Sequence, residues 1–249
     1  MKFQILSDIH LEFIPSEREK TSLLNSMKTN ADCVLIAGDI STPYDIDNTF
    51  KIISDIFCDQ NVFIIAGNHD YYGFDVKKVN EILYDKSKKH DNIFFLDNDV
   101  FEYDNYVILG TCGWWDTFNK EGSLLMNDFR YINDLVYDEY KGFEFCETAK
   151  KFLIDNLQKY QDKKIIVITH NAPLFDFTPS KYIGSPLNPF FTNNWDDIIK
   201  KYDINLWVSG HLHQSKMFTK YDTLFVENSF GYYKREENPN FDSKLVLEL

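Results

Sequence analysis

Val62-Phe63-Ile64-Ile65-Ala66-Gly67-Asn68-His69-Asp70 is an unbroken apolar run that stops at a glycine and three polar residues. A run without polar alternation predicts a strand buried on both faces, so helices are expected to cover its sheet. The glycine lets the backbone turn sharply where the strand ends, and the side chains beyond it offer only nitrogen and oxygen donors. Four more runs stop in a similar way. Phe3–Leu6 leads into Ser7-Asp8-Ile9-His10, Cys33–Ala37 into Gly38-Asp39, Ile165–Thr169 into His170, and Leu206–Ser209 into Gly210-His211-Leu212-His213. In an open α/β sheet, ligands gather outside the carboxyl ends of the strands. These five ends are therefore expected to converge although they lie far apart in the chain.

Helices are predicted between the first three runs, over Ser16–Thr29 and Ile46–Phe57, and after the third over Val76–Lys88. Tyr106–Leu109 reads as one further buried strand. The last third differs: Lys216–Lys220, Thr223–Glu227 and Lys244–Leu249 are short, alternating segments between turn residues, which predicts antiparallel pairing. Two sheets packed together and flanked by helices fit both halves. A chain of 249 residues can bury one sizeable core, and with no repeat or linker in view a single domain over residues 1–249 is expected. Two stretches, Gly113–Gly142 and Pro173–Asn194, lack a strand–helix rhythm and are expected to form loops that shape recognition.

Composition narrows the function classes. The chain is 44% hydrophobic and 16% aromatic, as a packed protein requires. No apolar stretch approaches the roughly 20 residues that cross a bilayer, and the amino terminus turns polar at Ser7-Asp8 instead of extending as a secretory signal. A cytoplasmic location is expected. The net charge of -13 argues against an extended nucleic-acid-binding face, but not against a small phosphorylated substrate, because bound cations reverse the local field. Four cysteines without a C-x-x-C pair are expected to be incidental thiols.

A lone His at a strand end is more often structural than a ligand, and Asp8-x-His10 or Gly38-Asp39 alone arises by chance. The weight lies in the ordered set. Asp8-x-His10, Gly38-Asp39, Gly67-Asn68-His69-Asp70, His170 and Gly210-His211-x-His213 together resemble the calcineurin-like metallophosphoesterase superfamily. Ser7–Phe13, Gly67–Gly73 and Asn228–Tyr232 further resemble its compact, single-domain bacterial or phage-type members. The resemblance implies a four-layer α/β/β/α sandwich of two mixed sheets flanked by helices, with two divalent metal ions. Manganese is favoured, with Fe, Zn or Ni accommodated by the same nitrogen and oxygen donors. It puts one ion on Asp8, His10, Asp39 and His213, and the other on Asp39, Asn68, His170 and His211, with Asp39 shared. It further implies that a metal-bridging hydroxide attacks phosphorus and that His69, outside both sets, protonates the leaving alkoxide.

The second motif departs from the protein Ser/Thr phosphatases of the superfamily, which read Gly-Asp-x-Val-Asp-Arg-Gly. Here the sequence is Gly38-Asp39-Ile40-Ser41-Thr42-Pro43. Thr42 replaces the Asp that orients the catalytic His in that branch, and Pro43 replaces its phosphate-binding Arg. A protein phosphatase is thereby disfavoured, and Asp70, Asp45 and Asp47 remain as candidates to orient His69. The expected activity is hydrolysis of phosphomonoesters or phosphodiesters, with a nucleotide or other small molecule favoured. A metal-bound, non-catalytic protein-interaction scaffold and a nuclease are the alternatives. Tyr72, Trp114, Trp115 and Arg130 are weaker candidates for substrate contact. The tyrosine and the tryptophans are weighed against core packing, and Arg130 against a structural pair with a carboxylate.

Overall fold

The computed structural model describes residues 1–249. The apolar runs form the parallel centres of two sheets. In the first, β1 (Lys2–Leu6), β2 (Cys33–Ala37), β3 (Asn61–Ile65) and β4 (Ile93–Phe95) run parallel. The second contains β5 (Asp99–Tyr103), β6 (Tyr106–Thr111), β7 (Lys164–Thr169), β8 (Leu206–Ser209), β9 (Ser215–Lys220) and β10 (Thr223–Asn228). Its order is β5-β6-β7-β8-β10-β9, with parallel pairing inside and antiparallel strands at both edges. A short hairpin, β11 (Gly231–Tyr232) with β12 (Glu236–Glu237), follows. Finally β13 (Val246–Glu248) closes the first sheet antiparallel to β1. Both sheets are thus mixed.

The unbroken apolar runs divide their side chains between two interfaces, because successive residues of a strand face opposite ways. Phe3, Ile5, Leu35 and Phe63 of the first sheet meet Ile108, Ile166, Val208 and Val226 of the second between the sheets. The alternate residues, such as Val34, Ile36, Val62 and Ile64, or Val107, Leu109 and Val167, belong to the core beneath the helices. Complete burial of each such side chain contributes about 1.5–3 kcal/mol. On the first sheet lie α1 (Glu17–Met27), α2 (Ile46–Ile56) and α3 (Val76–Ser87). The second carries α7 (Lys141–Lys159) against β6. Short helical turns α4 (Lys120–Ser123), α5 (Asp128–Tyr131) and α6 (Asn133–Tyr137) precede α7, and α8 (Asp196–Ile199) precedes β8. The architecture is the α/β/β/α sandwich.

The three expected helices and all the expected strands form, with ends moved by two residues or fewer. Ser16 lies outside α1 as its cap: its Oγ accepts from Glu19 N at 3.3 Å and donates to the Glu19 carboxylate at 2.9 Å. Unforeseen were β4, β5, the β11–β12 hairpin, α8 and the long α7, which begins at the edge of the stretch read as irregular. Gly113–Gly142 carries α4, α5 and α6, and Pro173–Asn194 carries three 3-10 turns. All four cysteines are free, and three are buried. No helix is long and apolar enough to cross a membrane.

Parallel pairing brings the carboxyl ends of β1, β2, β3, β7 and β8 to one edge of the sandwich. The loops there are stitched by backbone bonds: Asp8 N donates to Gly38 O at 3.1 Å, His10 N to Asp39 O at 3.0 Å, and Gly210 N to His170 O at 3.0 Å. A single bridge between Ser7 and Ser229 joins the two sheets beside them.

Candidate metal centre

Asp8, His10, Asp39, Asn68, His170, His211 and His213 meet at that edge, as the strand ends led us to expect, with His69 beside them. Five of these residues hold left-handed backbone: Asp8 at φ 51°, His10 at 47°, Asp39 at 53°, His211 at 75° and His213 at 49°. Such conformations cost of order 1–3 kcal/mol each and persist only where the surroundings over-determine them. The surroundings do. Asp8 accepts from His211 N at 3.0 Å and from the Ser229 hydroxyl at 2.7 Å, as well as from Ser7. Asp70 accepts from four backbone N–H groups, those of Asp39, Ile40, Ser41 and Gly67. Gly38, at φ 88°, has no room for a side chain: a Cβ there would lie 2.6 Å from His170 Nδ1 and 2.7 Å from Gly67 N.

The donor atoms of these ligand candidates form two groups, Asp8 with His10 and His213, and Asp39 with His170 and His211, each within 4.8 Å; a third group of the same kind joins His10 to Glu12 and His69. Asp39 Oδ2 stands between the first two, 3.6 Å from His10 Nε2 and 3.4 Å from His170 Nε2. Asn68 turns Oδ1 to His170 Nε2 at 3.0 Å, because its amide nitrogen donates to Asp128 Oδ1 at 2.8 Å. The outer nitrogens of the imidazoles are already committed. His170 Nδ1 meets Ala37 O at 2.8 Å, His10 Nδ1 meets Glu12 Oε1 at 3.1 Å, and His211 Nε2 meets Phe190 O at 3.2 Å. For His10 and His211 the partner is an acceptor, so the committed nitrogen carries the proton and the other turns a lone pair inward; His170 has acceptors on both sides, Ala37 O and Asn68 Oδ1, and carries a second proton that a cation would replace. His10 Nε2 and His213 Nε2 face each other at 3.1 Å. Buried lone pairs and carboxylates converging in this way fit divalent cations.

The electrostatics agree. Burial opposes ionisation of Asp8 and Asp39, yet the neighbouring imidazoles, His170 foremost, keep both carboxylates below their usual range. Burial would lower His170 and His69, but the Asp39 charge holds them up at about 10 and about 9; for His69 Glu12 adds to it. His211 moves the other way, to about 3, through burial and the His170 charge. A field that draws protons this strongly onto imidazoles is one into which a cation fits.

The groups open on a cavity of about 290 Å³. Asn68, His69, Tyr72 and Asp128 line one side, and Leu125, Met126, Leu187 and Phe191 form an apolar wall. Tyr72 donates to Asp128 Oδ1 at 2.8 Å and stacks on the His69 ring. Three other candidates lie elsewhere. Trp114 and Trp115 are 4% and 1% exposed and pack in the core, against Tyr71 and against Phe129 and Phe190 respectively. Their rings are needed where α7 crosses the second sheet: a Cβ on Gly142 would strike the Trp115 ring. Arg130 neither lines the cavity nor pairs with a carboxylate; its Nη2 donates to Leu124 O at 2.8 Å, at the end of α4. Sequence reasoning had not singled out Glu12, Asp128 and Tyr232. Glu12 and Tyr232 lay inside the stretches carrying the resemblance, whereas Asp128, in an irregular stretch, gave no signal.

Imidazole and carboxylate donors at five strand ends of an α/β/β/α sandwich define a metal-dependent class of protein. The family described as Calcineurin-like phosphoesterase matches residues 1–215, and the chain belongs to this metallophosphoesterase family. It is 28% identical to an uncharacterized protein, L509, of Acanthamoeba polyphaga mimivirus, across 94% of this chain and 92% of that one. It is 32% identical to an uncharacterized metallophosphoesterase, Cj0846, of Campylobacter jejuni, across 71% of this chain but 46% of that protein. Among solved structures, the phosphopantetheinyl hydrolase PptH of Mycobacterium tuberculosis superposes with a TM-score of 0.73 at 15% identity, over 93% of this chain and 89% of that one. GAP50, the anchor in the inner membrane complex of Plasmodium, superposes with a TM-score of 0.50 at 13% identity, over 98% and 76%. At these identities the structural likeness speaks for the fold alone.

Proposed function

We propose that the chain is a binuclear metal-dependent phosphoesterase that hydrolyses esters of small phosphorylated molecules, with His69 as the proton donor to the leaving group. One observation carries this reading. His69 stands outside the two groups that contain Asp8 and Asp39, and its Nε2 faces the same cavity, 3.1 Å from the Tyr232 hydroxyl. In this reading Asp8, His10, Asp39 and His213 hold one ion and Asp39, Asn68, His170 and His211 the other. Asp39, between the groups, is the shared carboxylate that offsets repulsion between two dications. Bound there, such ions supply Lewis acidity and make hydroxide available near neutral pH. Manganese is the ion we favour.

The chain's own residues do the rest. Asp128 holds the Asn68 amide so that its oxygen stays turned inward. Cations on Asp39 would offset its pull on His69, and Glu12, outside both ligand sets, is the carboxylate left to favour the protonated ring that a general acid requires. The apolar wall shelters the leaving group from water. No Lys or Arg lines the cavity, which supports a substrate with one phosphoryl centre over a polyphosphate or a long nucleic acid. The test is His69→Ala on Mn²⁺-loaded protein. Metal content should be retained while kcat for alkyl phosphoesters falls about 10²–10⁴-fold, and far less for p-nitrophenyl esters, whose leaving group needs no proton. Equal losses for both would remove His69 from the acid role, and loaded protein inert toward every ester would return the fold to a scaffold.

A further inference from the structure

Glu12 occupies a position that neither the Asp8 nor the Asp39 group explains. Its Oε1 lies 3.1 Å from His10 Nδ1 and 3.7 Å from His69 Nδ1, and its side chain is only 12% exposed. It rides on a 3-10 turn, Leu11–Phe13, directly after the left-handed His10, and this returns the carboxylate toward the pocket. His69 is enclosed on its other sides. Its ring stacks on Tyr72 at 4.4 Å, meets the His10 ring edge-on at 4.6 Å, and presents Nε2 to Tyr232 in the cavity. Only Nδ1 faces a carboxylate.

The three aspartates that the sequence offered to orient His69 are engaged elsewhere. Asp70 is filled by backbone donors, Asp45 pairs with Lys20, and Asp47 pairs with Lys86 and Lys89. We propose that Glu12 is the positioning residue for His69: its Oε1 holds the Nδ1–H so that Nε2 points at the leaving oxygen, and the same oxygen fixes His10 with Nε2 bare. A carboxylate behind an imidazole sets both tautomer and ring orientation. The 3.7 Å separation is of the kind that shortens when substrate binds. The inference rests on the reading of His69 as proton donor. A rival use of the same atoms exists, since His10, Glu12 and His69 donors lie within 4.8 Å of one another and could together hold an ion.

The experiment uses Glu12→Gln in the full chain, alone and with His69→Ala, on Mn²⁺-loaded and on metal-free protein. At saturating metal, kcat for an alkyl phosphoester should fall about 10–100-fold, with KM within twofold and a clearly smaller loss for the p-nitrophenyl ester. The double variant should be no slower than His69→Ala alone, because both changes act on one proton transfer. In metal-free protein, ¹⁵N-edited proton spectra should show the Nδ1–H resonances of His10 and His69 moving upfield in Glu12→Gln as their anionic acceptor disappears. Glu12→Asp keeps the charge but withdraws the oxygen by one methylene; it should give an intermediate loss and stands in if the Gln variant does not fold. Equal slowing of both esters, multiplying losses in the double variant, or unmoved resonances overturn the proposal. So does loss of one metal equivalent from both Glu12→Gln and His69→Ala, which would make Glu12 a ligand. If His69→Ala slows both esters alike, the reading of His69 is what has failed, and the role of Glu12 falls with it.

Discussion

Asp70 accepts from Gly67 N at 2.7 Å and Asp39 N at 2.9 Å on one oxygen, and from Ser41 N at 3.0 Å and Ile40 N at 3.1 Å on the other. The carboxylate replaces water for four donors at once and ties the loop after β2 to the loop after β3. An amide offers one accepting oxygen and would turn its NH₂ against the remaining donors. Asp70→Asn is therefore expected to cost about 2–4 kcal/mol, the range for leaving buried donors unmatched, read from urea unfolding of metal-free protein. A loss under 1 kcal/mol would mean that the loops hold without it. Asp70 also marks a limit of sequence reading at this scale. Adjacent to His69 in the chain, it had looked able to orient it. On the 3-10 turn His69–Tyr71 successive side chains point a third of a revolution apart, so the carboxylate turns back to the backbone. Glu12 approaches His69, and Asp128 holds Asn68, across long sequence separations where adjacency gives no clue.

Among the elements, β6 packs tightly on the opposing sheet at Gly110. A Cβ there would lie 3.0 Å from Ile65 Cγ2 and nearer still to Leu96. Gly110→Ala must push the sheets apart or displace Leu96, an overpacking cost of about 1–3 kcal/mol. The urea midpoint should fall with the m-value unchanged, while metal-dependent hydrolysis at 25 °C persists, because β6 contributes none of the proposed ligands. The central strands were legible because both faces are buried and their runs are uniformly apolar. β5 was not, since an edge strand bearing Asp99, Glu102 and Tyr103 outward looks like loop. α7 buries Gly142, Cys146, Ala149, Leu153 and Leu157 at helical spacing. Three of those five residues are small, so its apolar stripe is faint in sequence although its packing is complete.

The whole molecule gathers two carboxylates and several imidazoles, most of them buried, at one edge of a chain of net charge -13. Cations that bind only the folded form must stabilise it: at one hundred times Kd each adds about 2.7 kcal/mol. Mn²⁺ added to chelator-treated protein should raise Tm by several degrees, and Asp39→Asn should abolish most of that rise, since Asp39 touches both groups. An unchanged Tm in a calorimetric scan would rule out tight binding at this edge. At this scale much was readable, because parallel strands deliver their carboxyl ends to one side whatever the loops between them do. The parallel pairing of β10 with β8 and the return of β13 to β1 were hidden, as each joins segments whose own patterns specify no partner.

Asp8, on the first loop of the chain, receives its hydrogen bonds from His211 and Ser229. A polypeptide leaving the ribosome amino end first must keep that carboxylate waiting until most of its length has emerged. On the proposed ligand set, an ion would find its site complete only once both ends of the chain have been brought together by the apolar strands.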